Sequence, residues 1–584
     1  MWHPGVGGVK GLHFTPTPEQ VRIISHSGSA FVAACPGSGK TRVLVERARV
    51  LLTDRTTRRG IAFLSFTTAA VSELEQRLRT QGLLPTPPFP HFIGTFDAFL
   101  WQFLIAPFGV PGCTTRPRLI PDKDQRNVIP FPNAQPLPLE CFERITGATI
   151  SGKPEKFGFS GRSTKPYETA AHRLREAYLG RGELDFADAR ELARDRLQDP
   201  GFSPVLAQAL SARFRELFVD EAQDCNPSDL DIIDWFRNAH VPVKVICDPH
   251  QSIYGFRGGV GEELLGFANS FPEEQRLPLT GNFRSSRHIT RAIVALRAPH
   301  SRTRQDAALG ELRDDPTPVY VLRYKGRSVP ASVGSTFRGL TGGLGLNPRD
   351  CPVVAATRAA SANALGRPLA QGTKDLTYRL AVSICDYHFS FELGGRKEAL
   401  ENVHKVVVEL QGHITDKTYH QYMSAAVIDP GIWRPQVLRI VDGLRYDPNR
   451  HATPEQWHDD ARRFLAPLLP AGGRSIRQRL RGNRALGEAL MCAPPNGHSG
   501  RTIHSVKGME FPAVCVVISS PKIKGILDYL SNGSSTENSE GARKLYVGAS
   551  RAKRLLAIAA PEKQATRLVD LLRATGASVT SILL

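Results

Sequence analysis

The stretch that decides the fold is Phe31-Val32-Ala33-Ala34-Cys35-Pro36-Gly37-Ser38-Gly39-Lys40-Thr41. Four apolar residues lead into a turn of small residues, and the apolar residues beyond it recur at helical spacing: Val43, Leu44, Val45 and Ala48. This order predicts a buried strand, a glycine-rich loop and a helix, whose backbone N–H groups can wrap phosphates. Lys40 would reach the β- and γ-phosphates, Thr41 would ligate Mg²⁺, and the helix N-terminus adds a favourable dipole.

The predicted phosphate loop and its flanks comprise Pro36, Gly37, Ser38, Gly39, Lys40, Thr41 and Arg42. The general pattern begins with glycine where this chain has Ala34, but Gly37 and Gly39 still supply the turn. A chance Gly/Ser turn would not explain a Lys-Thr pair that opens a helix directly after a strand. Alone, however, such a loop would serve a kinase or a transporter equally well.

An acidic cluster follows another apolar run. Leu217-Phe218-Val219 leads into Asp220-Glu221-Ala222-Gln223-Asp224. Asp220 would hold Mg²⁺ through water, and Glu221 would orient and deprotonate an attacking water. An Asp-Glu pair after a strand is often only a helix cap or a surface charge. Together with the phosphate loop, it predicts a hydrolase site.

Two sets of short apolar runs predict two α/β units. The first set is 31–34, 61–64, 217–219 and 243–247, and the second is 319–322, 353–356, 514–518 and 555–558. Such runs are typical of buried parallel strands with ligand-binding groups at their carboxyl ends. Residues 106–205 and 376–495 do not follow this rhythm; they include helical patterns at 170–179, 187–197 and 397–410. Each region is interpreted as an insertion into one α/β unit.

The composition indicates which kinds of partner and compartment suit this protein. The chain has 584 residues, 41% hydrophobic, with 75 Lys and Arg against 56 Asp and Glu, a net charge of +19. That surplus favours a polyanionic partner, most simply nucleic acid, although a basic proteome would give the same sign. Nine cysteines without a CxxC pair indicate neither a zinc site nor a disulfide framework. The amino terminus resembles no secretory signal and no apolar stretch is long enough for a membrane span, so we expect a soluble cytoplasmic protein.

An ordered series of motifs resembles the superfamily 1 DNA helicases of the UvrD/Rep/PcrA group. In the order expected of that group, the segments are 14–20, 66–70, 94–96, 220–224, 248–258, 282–285, 502–511 and 545–553. The resemblance covers nearly the whole chain and implies an α/β fold of two RecA-like P-loop NTPase cores, each carrying a mainly helical insertion. It implies core 1A at 1–105 and 206–290, insertion 1B at 106–205, core 2A at 291–375 and 496–584, and a reduced accessory insertion 2B at 376–495.

The resemblance also implies roles for individual residues. Gln20 would read the adenine edge, Phe283 would stack on adenine, and Glu510 would contact the ribose. Gln251 would sense the γ-phosphate, while Arg284 and Arg551 would stabilise the transferring phosphoryl group. The implied DNA contacts are Phe66, Thr67, Thr95, Phe96, Tyr254, Phe256, Arg257 and His504. His504 and Lys507 could serve either the fold or the DNA backbone.

The chain departs from the group at several points. Asp97 stands where histidine is common, Phe256 stands where tryptophan is frequent, and the region between 285 and 502 is compact. A basic stretch at 474–481 would contact duplex or backbone phosphate, or would simply be a solvated helix face.

These observations lead to three competing expectations. The first is an ATP- and Mg²⁺-dependent DNA helicase that moves 3′ to 5′ on single-stranded DNA, acts at junctions with duplex, and is a monomer when alone. The second is a DNA-gated translocase that does not unwind alone and works with a nuclease in repair or phage defence. The third is a nucleic-acid-binding scaffold with a relic ATP site, which the complete catalytic set disfavours.

Overall fold

The fold is taken from a computed structural model. It describes residues 15–54, 56–121, 123–160, 163–253, 261–367, 375–389, 393–414, 419, 422–423, 430–470, 472–490, 497–533 and 536–584. Its main features are two six-stranded sheets in which all neighbouring strands run parallel.

The first part of the chain alternates helices and strands. Its elements are α1 (Pro18–Ser25), β1 (Ala30–Ala34), α2 (Lys40–Thr53), β2 (Gly60–Ser65), α3 (Thr68–Thr80), β3 (Phe92–Thr95) and α4 (Phe96–Leu100), which a π-helical turn, Trp101–Ile105, continues. Threonine hydroxyls cap three of these helices: Thr17 caps α1, Thr67 caps α3 and Thr95 caps α4. Each cap satisfies a backbone N–H that the first helical turn leaves unpaired, and so marks where the helix begins.

The next segment of the chain, up to Gln198, lies outside the first sheet. It contains β4 (Arg118–Leu119), β5 (Asn127–Val128), β6 (Leu137–Pro138), α5 (Lys165–Gly180), β7 (Glu183–Leu184) and α6 (Phe186–Gln198). Its apolar cluster runs from Val128 to Ala171, with Tyr178 packed against it, and draws on neither large sheet. Helix α6 instead packs on the first core through Ala189 and Ala193.

The chain then returns to complete the first sheet. The elements are α7 (Ser203–Arg213), β8 (Phe214–Val219), α8 (Pro227–Asn238), β9 (Val243–Cys247), α9 (Gly261–Asn269) and β10 (Arg276–Leu279). The strand order is β10-β1-β9-β8-β2-β3. Alternate residues of each strand enter different apolar clusters, so that Phe31 and Leu217 face one side and Val32 and Phe218 the other. Both faces are therefore covered, as parallel sheets require.

A short two-stranded segment leads to the second core. It is formed by β11 (Gly281–Asn282) and β12 (Ala307–Ala308), with α10 (Arg287–Ala295) between them. The second core continues with β13 (Val319–Tyr324), α11 (Ser332–Gly343), β14 (Val353–Ala355) and α12 (Arg358–Ala364).

The region between β14 and the next sheet strand is helical. It contains α13 (Leu376–Phe389), α14 (Leu393–Leu410), α15 (Pro430–Gly443), α16 (Pro454–Leu465), α17 (Ile476–Arg479) and α18 (Leu486–Leu490). These helices enclose their own apolar cluster around the fully buried Trp457.

The second core closes with β15 (Gly500–Thr502), β16 (Phe511–Val517), α19 (Ser520–Asn532), α20 (Thr536–Ala549), β17 (Ala552–Pro561), α21 (Glu562–Arg573) and β18 (Val579–Leu583). The strand order is β15-β14-β16-β17-β13-β18, again with an apolar cluster on each face.

The predicted fold class, two α/β units built on parallel strands, is confirmed by these sheets. Four strands were missed by the sequence analysis: β3, β10, β15 and β18. All four lie at sheet edges, where one side of the strand is unpaired, so their sequences are short or mixed in polarity. Strand β10 even contains Pro278, which an edge position tolerates.

Among the described helices, none is both long enough and apolar enough to cross a membrane. Of the eight cysteines in the described ranges, seven are buried and Cys113 is half-buried.

A buried ion cluster joins three elements of the first core. Arg47 of α2 forms a two-pronged bond with Glu216 of β8, at 3.1 and 2.6 Å, and Lys244 of β9 lies 3.5 Å from the same carboxylate. All three side chains are at most 9% exposed. Burial lowers the pKa of Lys244 to about 8, which shows how strongly this environment disfavours an isolated charge.

We therefore expect Glu216→Gln to lower the free energy of unfolding by about 3 kcal/mol or more, because it leaves two buried cations without their carboxylate. Equilibrium urea unfolding at neutral pH measures the change. The matched control is Glu46→Gln, which removes a partly exposed partner of Arg49 and should change stability by less than about 0.5 kcal/mol. Equal effects of the two substitutions would contradict the role given to the buried cluster.

Candidate active site

The phosphate loop lies at the carboxyl end of β1, where residues 35–39 turn the chain into α2. Gly37 and Gly39 have left-handed backbones, with φ of 68° and 80°. Gly39 is the N-cap of α2 and offers no side chain to the first N–H groups of that helix. The Ser38 hydroxyl is buried without a hydrogen-bond partner among the described residues. The loop therefore presents backbone N–H groups and a hydroxyl that are available to donate hydrogen bonds, as an anion-binding site requires.

Gly37 is also a point of close contact. A Cβ atom there would lie 2.5 Å from Cβ of Arg284 and 2.7 Å from Oδ1 of Asn282. The N–H of Phe283 donates to the Gly37 carbonyl at 2.9 Å. The phosphate loop thus touches the segment that leads to the second core, and a glycine is needed for that approach.

Gln20 is buried beside the loop and is held at both ends of its amide. Its Oε1 accepts from the Thr17 N–H at 3.0 Å, and its Nε2 donates to the Ser38 carbonyl at 3.1 Å. One N–H and one lone pair of the amide are left for a nucleotide base. Gln20, which is predicted to bind the adenine base, therefore also holds the phosphate loop in place. The predicted stacking residue Phe283 lies on the rim of the same cleft, 38% exposed.

The acidic pair stands at the carboxyl end of β8, opposite the phosphate loop. Asp220 donates its backbone N–H to Leu64 of β2 at 2.9 Å, and Glu221 takes a left-handed backbone with φ of 56°. Lys40 Nζ lies 3.6 Å from the Glu221 carboxylate, and the Gln223 amide donates to that carboxylate. The acidic pair and the loop lysine therefore converge on one space.

The two carboxyl groups differ in their affinity for a proton. Burial, and then the neighbouring Glu221, raise the pKa of Asp220. Burial opposes ionisation of Glu221 as well, but Lys40 and Lys507 outweigh it and lower the pKa of this carboxyl. Glu221 is thus the member of the pair that stays ionised, which suits a group that must accept a hydrogen bond from water.

Gln251 is oriented by a buried carboxylate. Its Nε2 donates to Asp248 Oδ2 at 2.8 Å, and the Tyr546 hydroxyl donates to the same oxygen at 3.2 Å. Because an ionised carboxylate can only accept, the amide oxygen of Gln251 must face the other way. It accepts a hydrogen bond from Arg551 of the second core.

Two arginines approach the cleft from the side of the second core. Arg551 is buried, and burial followed by repulsion from Arg284 lowers its pKa to about 10. Arg284 donates to the Ser550 carbonyl at 2.8 Å and pairs with Glu510 at 2.7 Å, and Lys553 lies 2.9 Å from the other oxygen of Glu510. Lys507 and Asp224 form a further bridge between the cores, with 2.5 Å between Nζ and Oδ1.

These groups line one cleft of about 880 Å³ between the two cores. Its lining contains residues from every part of the predicted ATP site: Pro36, Gly37, Ser38, Gly39, Lys40, Thr41, Arg42, Asp220, Glu221, Gln251, Phe283, Arg284, Glu510 and Arg551. Gln20, predicted with this group, lies behind the loop and reaches it only through Ser38.

The donor set fits a magnesium–nucleotide complex. Within the described ranges, no group of three or more His, Cys, Asp or Glu side chains is arranged to hold a metal ion. Mg²⁺ in phosphoryl-transfer sites is instead held by one or two protein oxygens together with waters and substrate phosphates. Thr41 and Asp220 are two such oxygen donors, and both line the cleft.

Four of the predicted DNA contacts, Phe66, Thr67, Thr95 and Phe96, lie at the carboxyl ends of β2 and β3. Phe66 and Thr67 follow β2, and the Thr67 and Thr95 hydroxyls accept the N-cap bonds of α3 and α4. The Phe96 ring is 1% exposed and stacks against Phe66 with 5.3 Å between ring centroids. Phe96 therefore supports Phe66 and has no ring face open to a base.

His504 lies near Ile253 at the border between the cores, and burial lowers its pKa, which favours the neutral imidazole. Three other predicted DNA contacts, Tyr254, Phe256 and Arg257, lie outside the described residues. In the basic stretch at 474–481, Arg479 donates to the Leu410 carbonyl at 2.6 Å, while Arg474, Arg477 and Arg481 are exposed.

Comparison with protein-family models assigns both cores to one family. The UvrD/REP helicase N-terminal domain matches residues 16–272, and the UvrD-like helicase C-terminal domain matches residues 501–563. Together the two models match more than half of the chain.

The chain belongs to the UvrD-like helicase family.

Curated relatives agree with this assignment. DNA helicase II of Salmonella typhimurium is 28% identical over 291 residues, which are 48% of this chain and 39% of the relative. The ATP-dependent DNA helicase PcrA of Staphylococcus aureus is 25% identical over 292 residues, with the same two coverages. The chain thus spans about two fifths of the length of the relatives it matches.

In this UvrD-like chain, several residues of the cleft were not predicted from the sequence. Asp248 and Tyr546 orient Gln251, and Asp224 pairs with Lys507 across 283 positions of sequence. Glu19 receives two bonds from Thr280 and ties α1 to the end of β10. No local pattern signals such pairs, because their partners meet only when the two cores pack together.

We expect Gly37→Ala to weaken nucleotide binding by about tenfold or more, because the added methyl group forces the segment at 282–284 away from the phosphate loop, and the left-handed backbone is strained for alanine. Titration with a fluorescent ATP analogue and Mg²⁺ measures the dissociation constant. The matched control is Gly28→Ala, which has a φ of 82° but no atom within 4 Å of the added methyl group. Equal losses in both variants would show that backbone strain alone matters.

Proposed function

We propose that this chain is an ATP-dependent DNA helicase that translocates 3′ to 5′ on single-stranded DNA and separates duplex ahead of it. One observation carries the proposal. The phosphate loop and acidic pair of the first core face, across a single cleft, Arg284 on the segment that links the cores and Arg551 of the second core. A site divided in this way hydrolyses ATP only when the cores close on it, so that hydrolysis can drive movement.

The residues divide the chemistry between them. Lys40 and the loop N–H groups hold the β- and γ-phosphates, and Thr41 and Asp220 would hold a Mg²⁺ ion that would neutralise part of the phosphate charge. Glu221 orients a water and accepts its proton as the water oxygen attacks the γ-phosphorus and the bond to the β-bridging oxygen breaks. Arg284 and Arg551 stabilise charge on the transferring group, a contribution of about 10³–10⁵ in rate for such arginines.

Movement follows from contacts that exist only while the nucleotide bridges the cores. A γ-phosphate competes with the Gln251 amide oxygen for Arg551 and with Glu510 for Arg284. ATP thereby favours the closed arrangement, and hydrolysis removes that preference. Alternating closure, with strand contacts at Phe66, Thr67, Thr95 and His504 on either side, advances the chain along one strand.

The first test is ATP hydrolysis with and without single-stranded DNA. We expect stimulation in the wild type, and a loss of roughly 10²-fold or more in Lys40→Ala and in Glu221→Gln, since each removes a group that acts on the phosphates. Glu75→Gln, an isosteric change in an exposed pair with Arg79 on α3, should retain wild-type rates. Hydrolysis that is indifferent to DNA and to both substitutions would exclude the proposal.

Polarity is tested by unwinding of matched duplexes that carry either a 3′ or a 5′ single-stranded tail. We expect ATP-dependent strand separation from the 3′-tailed substrate, because the family resemblance implies 3′-to-5′ movement. Separation confined to the 5′-tailed substrate would reverse the assigned direction. Stimulated hydrolysis without separation of either substrate would identify a translocase that does not unwind alone.

A further inference from the structure

Asp97, the residue that replaces the histidine common in this family, is bound to an insertion helix. It lies in the first turn of α4, two residues after the capping Thr95 and beside the turn predicted to contact DNA. Its Oδ1 is 2.7 Å from Nη2 of Arg190 on α6, and its side chain is 31% exposed. A carboxylate next to a DNA-contacting turn would repel phosphate, and Arg190 offsets that charge.

Arg190 also reaches a second carboxylate. Its Nε donates to Asp229 Oδ1 at 2.7 Å. Asp229 is 2% exposed, and its other oxygen accepts from the Asn226 N–H at 3.0 Å in the capping box that begins α8. One guanidinium therefore joins the start of α4, the insertion helix α6 and the start of α8. The planar fork of arginine suits this double contact, whereas a lysine ammonium is a single point charge.

The start of α8 leads directly to the acidic edge of the cleft. Asn226 is two residues beyond Asp224, which holds Lys507 of the second core. Asp224 itself is in the same short 3₁₀ turn, Ala222–Asp224, that follows Glu221. A continuous series of contacts therefore runs from α4 through Arg190 and the start of α8 to the loop that carries Glu221.

We propose that Arg190 is a positioning residue that couples DNA binding at the turn 94–97 to ATP hydrolysis at the acidic edge, through Asp97 on one side and Asp229 on the other. This inference rests on the proposed function. Under this proposal the insertion at 106–205 takes part in ATP hydrolysis although it does not line the nucleotide cleft. Asp97, which stands where the family commonly has histidine, connects the DNA-binding turn to Arg190.

The test compares basal and DNA-stimulated ATP hydrolysis across a set of substitutions in the full chain, with oligo-dT as the DNA. Arg190→Gln should lower the stimulated kcat by about tenfold, within the range of typical coupling between sites, and leave the basal rate and the ATP KM within about twofold. Arg190→Lys should recover part of the stimulation. Arg194→Gln is the matched control, because Arg194 lies one turn further along α6 and contacts α8 only through Ser228 at 3.5 Å.

A double-substitution cycle separates coupling from general weakening. Asp97→Asn should lower stimulation, and Asp97→Asn combined with Arg190→Gln should fall no further than Arg190→Gln alone, because both act through one contact. Additive losses would contradict the coupling. Thermal unfolding of every variant identifies any substitution that acts by destabilising the fold, and Asp97→Asn keeps the test valid if Arg190→Gln does not fold.

Asp97→His adds a readout that a purely structural role would not produce. A protonated imidazole beside Arg190 would repel it, so stimulation in this variant should rise with pH between about 6 and 8, as the imidazole loses its proton. The wild type should show no such step. DNA stimulation that does not change with pH in this variant would contradict the role given to the contact between residue 97 and Arg190.

The outcomes separate this inference from the function on which it rests. Wild-type hydrolysis that DNA does not stimulate contradicts both. Stimulation that survives Arg190→Gln, or a loss that affects basal and stimulated rates equally, contradicts the positioning role alone.

Discussion

The contact between Gly37 and the segment at 282–284 is the constraint on which the rest of the cleft depends. The absence of a side chain at Gly37 lets the Phe283 N–H reach the loop carbonyl. The buried Asn282 side chain then accepts the N–H groups of Arg284 and Ser285, which fixes the turn. From there Ser285 donates to the Ala552 carbonyl, and Ser286 donates its N–H to Lys553. The close backbone contact between Gly37 and Phe283 thus places the phosphate loop next to the second core.

The charged groups of the cleft satisfy one another across the space that a nucleotide would enter. Lys40 faces Glu221, Lys507 pairs with Asp224, Arg551 donates to Gln251 and Arg284 pairs with Glu510. A buried charge without a partner costs several kcal/mol, so the Lys507–Asp224 and Arg551–Gln251 contacts, which join the two cores, help to keep the cores associated. A triphosphate also meets competition at this site, because Lys40, Arg284 and Arg551 would each exchange a present partner for phosphate.

The sequence predicted what local pattern can encode. The run from Phe31 to Thr41 carries its own periodicity and turn residues, and the acidic pair directly follows a buried strand, so both were found. Phe96 could not be distinguished from a base-stacking residue, because a motif records residue type and not burial. Arg190 is one of many arginines on charged helices, and only the packing of α6 against α4 and α8 reveals its two carboxylate partners.

The separate apolar cluster of the helical region between β14 and β15 has a consequence for how such a chain can change over time. Among the described residues, the buried members of this cluster lie at positions 380–490, and those of the clusters on the two sheets lie outside that range. Adding or deleting a helix in this region therefore leaves no cavity in the apolar clusters that cover the two sheets. A cavity lowers stability only where the side chains around it pack against the atoms that were removed. Such a segment can shrink or be exchanged by recombination while the ATP cleft keeps its geometry.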